Sequence, residues 1–389
     1  MHLDILESIR KSDLIVVGSG FFGLTVANQA ANDGHKVMII ERRNHPGGNA
    51  WSYRESSSGI EVHKYGSHLF HTSNERVWKY VHNFTRFNTY QHSVWTRLGN
   101  QTLSMPINLS TIQSFYKKIL SPSEAKDLIR EEVAKSGILE PQNLEEKAIS
   151  LIGRPLYEAL IRGYTQKQWE TDPVLLPAEI ITRLPVRYNF DARYFSDTWE
   201  GLPLEGYHAW IEKMLDHENI NLVLSVDYQS VRAEVPSDTQ VVYTGPVDEY
   251  FNFAHGRLSW RTLDFETEVL EIEDYQGASV VNFADVSTPY TRIHEYRHLH
   301  PERRLEVKKT VISREFSRFA GPTDEPYYPI NTSQDRLKLE RYRGLAKDLP
   351  NVTFGGRLGT YQYLDMHMAI ASALTKYESE IGPRLTKTM

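Results

Sequence analysis

The chain has 389 residues, length enough for two or three packed units, and its 40% hydrophobic and 24% charged residues are proportions of a globular protein, not a disordered or fibrous one. Lys plus Arg total 44 against 50 Asp plus Glu, so the formal net charge of -6 offers no basic footprint for nucleic acid or an anionic membrane. Cysteine is absent, which removes disulfides, thiolate metal sites and cysteine nucleophiles. That usage suits a reducing, cytoplasmic setting. The opening MHLDILESIRKSD has no continuous apolar core of a signal peptide, and no later run reaches the roughly 18 apolar residues of a spanning helix. The 22 Tyr and 7 Trp are a high count of aromatics that can pack or stack on planar ligands.

Taken in chain order, residues 14–17 are an apolar strand, Gly18-Ser19-Gly20-Phe21-Phe22-Gly23 is a glycine turn, and 24–31 read as helix. A second strand, 37–40, ends at Glu41, about 20 residues after Gly20. This is the order of a dinucleotide-binding βαβ unit. Gly18 allows the tight turn, Gly20 lets the backbone approach a pyrophosphate, Gly23 permits close helix–strand packing and Glu41 can accept from ribose hydroxyls. The helix N-terminus then offers its free N–H groups to the phosphates.

Arg42-Arg43-Asn44-His45-Pro46-Gly47-Gly48-Asn49 follows the acidic residue and looks like the flavoprotein pattern, in which a Gly-Gly lets the chain run along FAD. Near the C-terminus, 352–359 reads as a strand that delivers Arg357. Residues 361–365 precede an apolar helix over 366–374 whose N-terminus can face the flavin. The expected cofactor set is Gly18, Gly20, Phe22, Gly23, Glu41, Arg42, Gly48, Asn49, His68, Arg357, Tyr363, Asp365 and Met366, and the expected cofactor is FAD. No second GxGxxG lies between 60 and 350, so no built-in NAD(P)H domain is expected.

Helical patterning dominates 108–165, with a mixed-charge helix over 123–135 and an Asn143/Glu146 capping box ahead of Ala148, Leu151, Ile152, Leu156 and Leu160. Pro173, Pro177 and Pro185 punctuate 171–185, a segment expected to be a mobile loop or lid. A helix over 207–215 and strands over 221–226 and 241–245 come next, the last returning to the nucleotide-binding sheet. Beta-prone runs such as 278–283 and 309–313 predict a mostly antiparallel second sheet. The expected fold is α/β: a discontinuous Rossmann-like FAD domain (1–100, 235–250, 345–389), a mainly helical domain (101–205) and an antiparallel sheet domain (206–234, 251–344).

Several blocks carry a specific resemblance. Arg162-Gly163-Tyr164-Thr165-Gln166-Lys167-Gln168-Trp169, Thr182-Arg183-Leu184-Pro185-Val186-Arg187-Tyr188, Asp191-Ala192-Arg193-Tyr194-Phe195, Glu200-Gly201-Leu202-Pro203, Tyr290-Thr291-Arg292-Ile293 and Tyr65-Gly66-Ser67-His68-Leu69-Phe70-His71-Thr72 are similar to blocks of the UDP-galactopyranose mutases. The resemblance covers nearly the whole chain. Ser67 departs from the proline expected in many members.

The resemblance implies a bacterial-type isomerase interconverting UDP-galactopyranose and UDP-galactofuranose for surface polysaccharides. It implies that N5 of reduced FAD attacks the anomeric carbon with UDP leaving, and that a ring-opened iminium precedes reclosure. It further implies an external reductant for the flavin, a homodimer, and Arg183 and Arg292 as the diphosphate cations. Arginine suits that task because its planar fork donates paired charge-assisted hydrogen bonds. By motif position, Trp169 and Tyr194 are expected beside the uridine, Asn282 at the uracil edge, and Tyr164, Tyr328 and Tyr363 on phosphate oxygens, while His68 is expected next to the flavin. His294, His298 and His300 read as exposed, and no metal is expected. The competing readings are a flavin oxidase of the amine-oxidase class, which leaves the paired arginines unexplained, and a non-catalytic binding protein on the same scaffold.

Overall fold

The structure is a computed structural model that describes residues 2–181 and 185–388. In chain order the strands are β1 (Leu14–Val17), β2 (Val37–Ile40), β3 (Ser52–Arg54), β4 (Glu61–His63), β5 (Phe70–Thr72), β6 (Val94–Leu98), β7 (Gln101–Met105), β8 (Trp199–Gly201), β9 (Ile220–Val223), β10 (Gln240–Tyr243), β11 (Trp260–Leu270), β12 (Val280–Phe283), β13 (Arg292–Glu295), β14 (Thr310–Phe319), β15 (Tyr328–Pro329) and β16 (Val352–Phe354).

Five of them form a parallel sheet in the order β16-β10-β1-β2-β9. Every residue of β1, β2 and β10 is buried. A parallel sheet covered by helices on both faces demands this, and it explains why these strands read as unbroken apolar runs. Leu14, Val16, Val37 and Ile39 face the Phe21–Asn32 helix in one core, while Ile15, Val17, Met38 and Ile40 face Ile5, Ile9, Tyr228 and Val231 in another. The Rossmann-like unit expected from the first 41 residues is therefore present.

A second sheet has the order β15-β11-β14-β13-β12-β6-β7. Its pairs are antiparallel except β12 with β6, which is parallel. Helices Leu109–Tyr116, Pro122–Lys135 and Leu144–Leu156 pack around Ile112, Ile129, Ile149 and Ile152 beside it. At the start of the last helix Asn143 accepts from the Glu146 N–H at 2.9 Å, but the Glu146 carboxylate reaches back to the N–H of Gln142 instead of that of the cap. The 171–185 segment contains short 3-10 turns, Pro173–Leu175 and Ala178–Ile181, and the Leu144 N–H donates to Leu176 O at 2.9 Å, so its first half is docked on the helices.

Three expectations are corrected. Residues 220–223, assigned to the antiparallel sheet domain, extend the parallel sheet beside β2. The preceding Tyr207–Leu215 helix buries Tyr207, Trp210 and Ile211, and Trp210 packs 4.4 Å from Phe21, which carries the strand to that edge. The β6–β7 hairpin, divided between the FAD and helical domains, joins the second sheet through β12. His294 and His300, read as exposed, are 2% and 4% exposed: His294 stands on the covered face of β13, and His300 is enclosed by Glu61 and Glu302. Among the described residues no helix is long and apolar enough to cross a membrane.

Candidate active site

A cleft of about 1210 Å³, open mouth included, runs along the C-terminal ends of β1, β2 and β10. The glycine turn builds its floor. Gly18 has φ +93°, a left-handed value that favours glycine, and a Cβ on Gly23 would lie 2.1 Å from Gly18 O, so no larger residue fits between turn and helix. A Cβ on Gly20 would meet nothing within 4 Å and would project into free space. The Phe21–Asn32 helix starts there with no side-chain cap, leaving its first N–H groups for an anion. The Gly356–Thr360 and Met366–Lys376 helices also begin uncapped by side chains, and Gly356, Arg357, Leu364 and Met366 line the same cleft.

Glu41 is buried, accepting from Ser19 N–H at 2.9 Å, Ser19 Oγ at 2.7 Å and the Arg43 N–H at 2.9 Å. These bonds fix the carboxylate and leave lone pairs over. Arg42 and Arg43 both pair with Glu325, at 2.8 and 2.9 Å, and Arg43 lies over the Tyr65 ring at 4.5 Å. One Arg43 nitrogen, Nη1, is buried without a partner. An uncapped helix, a glycine cradle, a fixed acid and an unpaired buried guanidinium nitrogen together fit a dinucleotide. Of the expected cofactor residues Gly18, Gly20, Phe22, Gly23, Glu41, Arg42, Gly48, Asn49, His68, Arg357 and Met366 line this cleft. Tyr363 and Asp365 are not part of the lining; Asp365 faces His71 at 3.9 Å, and His71 is held by Asp197 at 2.6 Å.

The second cluster stands on one face of the seven-stranded sheet. Cross-strand register places Asn282 opposite Arg292, and Arg292 opposite Glu315, so the three side chains share that face. The Gly163–Trp169 helix crosses it. A Cβ on Gly163 would sit 2.3 Å from Ala284 O, and Lys167 donates to the carbonyls of Phe283, Thr288 and Tyr290 at 2.7 to 3.1 Å. Burial lowers the Lys167 pKa to about 8. Tyr164 on this helix accepts a hydrogen bond from Arg292 Nη2, while Arg292 Nε lies 3.4 Å from Glu315 Oε1 without making a hydrogen bond.

Burial alone would lower the Arg292 pKa, but the neighbouring Glu315 carboxylate outweighs it and keeps the guanidinium charged, with Tyr164, Tyr328 and Tyr194 around it. In turn burial would raise the Glu315 pKa, and Arg292 and His294 hold it down to about 2. Burial pushes Tyr328 up to about 12 and raises Tyr164, so both hydroxyls remain donors at neutral pH. The two clusters meet through Tyr363. Its ring lies 5.8 Å from Tyr328 and under the Arg357 guanidinium at 5.3 Å, and Arg357 is itself held by Leu364 O at 2.9 Å. His68 sits at this junction, its Nδ1 2.8 Å from Gly66 O, and burial with nearby Arg357 lowers its pKa to about 4.

Residues 159–363 match the family model described as UDP-galactopyranose mutase, and 16–84 match an NAD(P)-binding Rossmann-like domain. The chain is 44% identical to a probable UDP-galactopyranose mutase of Klebsiella pneumoniae, with 94% of each chain covered. The chain belongs to the UDP-galactopyranose mutase family. A dTDP-fucopyranose mutase of Escherichia coli is 39% identical over 93% of this chain and 96% of its own, and the Mycoplasma pneumoniae UDP-galactopyranose mutase is 32% identical over 95% and 96%. A crystal structure of reduced UDP-galactopyranose mutase superposes with a TM-score of 0.73 over 96% of this chain and 94% of that one, at 14% identity, which shows the shared fold. The family is one of isomerases, and this chain carries a nucleotide-binding Rossmann-like domain ahead of the matched region.

Against the mutase expectation, Tyr164, Arg292 and Tyr328 come together as a group, with Tyr363 at their edge and Asn282 beside Arg292 in register. Asn282 Oδ1 is buried and unpartnered. Tyr194, expected beside the base, belongs to the electrostatic surroundings of Arg292, with its ring edge-on to His92 at 5.4 Å. No ring contact joins it to Trp169, whose carbonyl accepts from Arg261 at 3.3 Å. Arg183 lies outside the described residues. The sequence reading missed Glu315, Lys167 as an anchor and the Arg43–Glu325 pair. Glu315 gives no local signal, since its partners are 21 to 24 residues away and Arg292 lies on the neighbouring strand.

Proposed function

We propose that this protein interconverts UDP-galactopyranose and UDP-galactofuranose, using FAD in the dinucleotide cleft. The reading is carried by one observation, an arginine kept charged among tyrosine hydroxyls beside a dinucleotide cradle, which is the arrangement a nucleoside diphosphate leaving group requires. Gly18, Gly20 and the N-terminus of the Phe21–Asn32 helix would hold the FAD pyrophosphate, Glu41 the ribose, and Arg357 with the turn at His68 the flavin end. Reduced FAD, when bound, supplies the nucleophile for the anomeric carbon.

Arg292 donates to the diphosphate as its charge develops and Tyr164, Tyr194, Tyr328 and Tyr363 donate hydroxyl hydrogen bonds to its other oxygens. Arg183 adds a second cation, in agreement with its place in the family motif. Glu315 keeps the Arg292 guanidinium from turning away when UDP departs, so the leaving group can be held and returned. Asn282 Oδ1, buried and unpartnered, accepts from the uracil N–H, and Trp169 covers the base. His68, neutral at physiological pH, offers an imidazole at the flavin edge without adding a cation there.

The test is chromatography of UDP-galactofuranose incubated with the purified yellow protein, with and without dithionite. Conversion to UDP-galactopyranose only under reduction is expected; a yellow protein without conversion in either state would favour a flavin oxidase. Because a dTDP-fucopyranose mutase is 39% identical, dTDP-fucofuranose is run in parallel, and faster conversion of that sugar would transfer the assignment to a thymidine nucleotide.

A further inference from the structure

The turn 66–68 beside the dinucleotide cleft and Arg292 on the second sheet are joined by a chain of polar contacts. Ser67 Oγ lies 2.8 Å from His294 Nδ1, His294 Nε2 lies 2.9 Å from Glu315 Oε2, and Glu315 Oε1 lies 3.4 Å from Arg292 Nε. A carboxylate only accepts, so His294 carries a proton on Nε2 and turns Nδ1 to the serine hydroxyl. His294 and Glu315 are 2% and 4% exposed, so water does not compete for these contacts. The Thr291 hydroxyl donates to Glu315 Oε1 at 3.2 Å, which fixes the carboxylate from a third side.

The same turn is pressed onto this pair. A Cβ on Gly66 would lie 3.1 Å from the Phe265 ring and 3.6 Å from Glu315 Oε2, and Gly66 O and His63 Nδ1 hold the His68 ring and N–H at 2.8 and 3.0 Å. Proline at position 67 could not form the hydrogen bond that Ser67 makes. An apolar residue at 294 would leave both Ser67 and Glu315 without their partner.

We propose that His294 is a positioning residue that couples the diphosphate site to the flavin-facing turn: it orients Arg292 through Glu315 and holds residues 66–68 through Ser67. The proposal rests on the reading of Arg292 as a diphosphate cation and of the cleft as the flavin site. A ligand that draws on the Arg292 guanidinium shifts the balance of the Glu315 contacts, and the shift reaches the turn through His294. Nucleotide affinity and the flavin environment are then linked in both directions.

The experiment measures UDP affinity by titration calorimetry on the FAD-loaded protein, together with the change that saturating UDP makes in the flavin absorption spectrum. Ser67→Ala, three contacts away from Arg292, is expected to weaken UDP binding severalfold, and His294→Ala to weaken it about 10-fold, the scale of one hydrogen bond to a charged group. The double variant binds no more weakly than His294→Ala, because the chain is already cut. His294→Gln, whose amide can donate and accept, recovers most of the affinity and the UDP-induced spectral change that His294→Ala loses. Unchanged affinity in Ser67→Ala, additive losses in the double variant, or a full spectral response in His294→Ala would each overturn the coupling. If His294→Ala does not fold, Ser67→Ala and His294→Gln decide. Wild-type protein that binds no UDP, or binds it equally well as Arg292→Ala, would instead bring down the reading on which the coupling depends, and the coupling with it.

Discussion

In the five-stranded sheet the ligand-facing surface is largely main chain: a glycine turn, three helix N-termini without side-chain caps and one fixed acid. In the seven-stranded sheet it is side chains standing on adjacent strands and on the helix laid across them. The first kind of surface binds whatever presents a pyrophosphate in the right place and tolerates little change in shape. The second selects by charge and hydrogen bonding, and its parts depend on one another: Arg292 stays charged because of Glu315, and Glu315 stays ionised because of Arg292 and His294. Substitution should therefore act mainly through sterics in one region and mainly through electrostatics in the other.

The largest expected effect is on the electrostatic side. Arg292→Ala should lower turnover of the reduced enzyme by about 100 to 1000-fold, the equivalent of roughly 3 to 4 kcal/mol of transition-state stabilisation, with FAD content unchanged. Steady-state rates on flavin-normalised protein check this, and a loss below about 10-fold would remove Arg292 from the leaving-group site. Arg183→Ala is expected to behave in the same way.

The cradle separates two glycines that look alike in sequence. Gly23→Ala places a methyl 2.1 Å from Gly18 O and should destabilise the fold by about 1 to 3 kcal/mol, read by urea unfolding. Gly20→Ala meets no protein atom within 4 Å at φ -68°, so the apoprotein should unfold at the wild-type midpoint while FAD reconstitution is impaired. Equal unfolding midpoints for the two variants would contradict the packing described for the turn.

Acid sensitivity gives a smaller effect that belongs to neither site alone. Burial depresses His63 and His92 to about 3, far below the unfolded value near 6.5. The unfolded chain therefore takes up protons first, so this contribution to stability is complete above pH 6.5 and declines as pH falls toward 3. The expected slope below pH 6.5 is about 1.4 kcal/mol per pH unit per histidine. Unfolding titrations at pH 7.5 and 5.5 test it, and His63→Gln should flatten the slope.

The smallest effect sharpens the specificity side. Asn282 Oδ1 satisfies no protein partner, so Asn282→Ala should leave stability nearly unchanged and weaken UDP binding by about 1 kcal/mol. A stability loss without a change in UDP affinity would make Asn282 an ordinary sheet residue.

The course of the chain shows why the two regions differ in how well they can be read. β1, the glycine turn, the helix, β2 and Glu41 are consecutive, and each residue's task follows from its neighbours; all lie along one cleft. Arg292 and Tyr164 stand in the blocks that resemble the family's, and the structure brings them together with Tyr328 and Asn282. Glu315 and His294 carry no such local signal, since an acid or a histidine in a strand has no role until the register says what stands opposite, and Lys167 becomes an anchor only where its helix meets the carbonyls of Phe283, Thr288 and Tyr290. Likewise residues 220–223 look like any short apolar strand, and only their pairing with β2 assigns them to the parallel sheet.

What the sequence by itself determined was the Rossmann-like unit, the absence of cysteine chemistry, and membership of the mutase family, because glycine spacing, composition and contiguous motifs are local properties. The tertiary structure decided which sheet each strand joined, that Tyr194 stands near Arg292, and that Glu315 and His294 lie between Arg292 and the turn at Ser67. Those outcomes depend on strand register and on the burial of charge, quantities that arise only when segments distant along the chain are packed side by side.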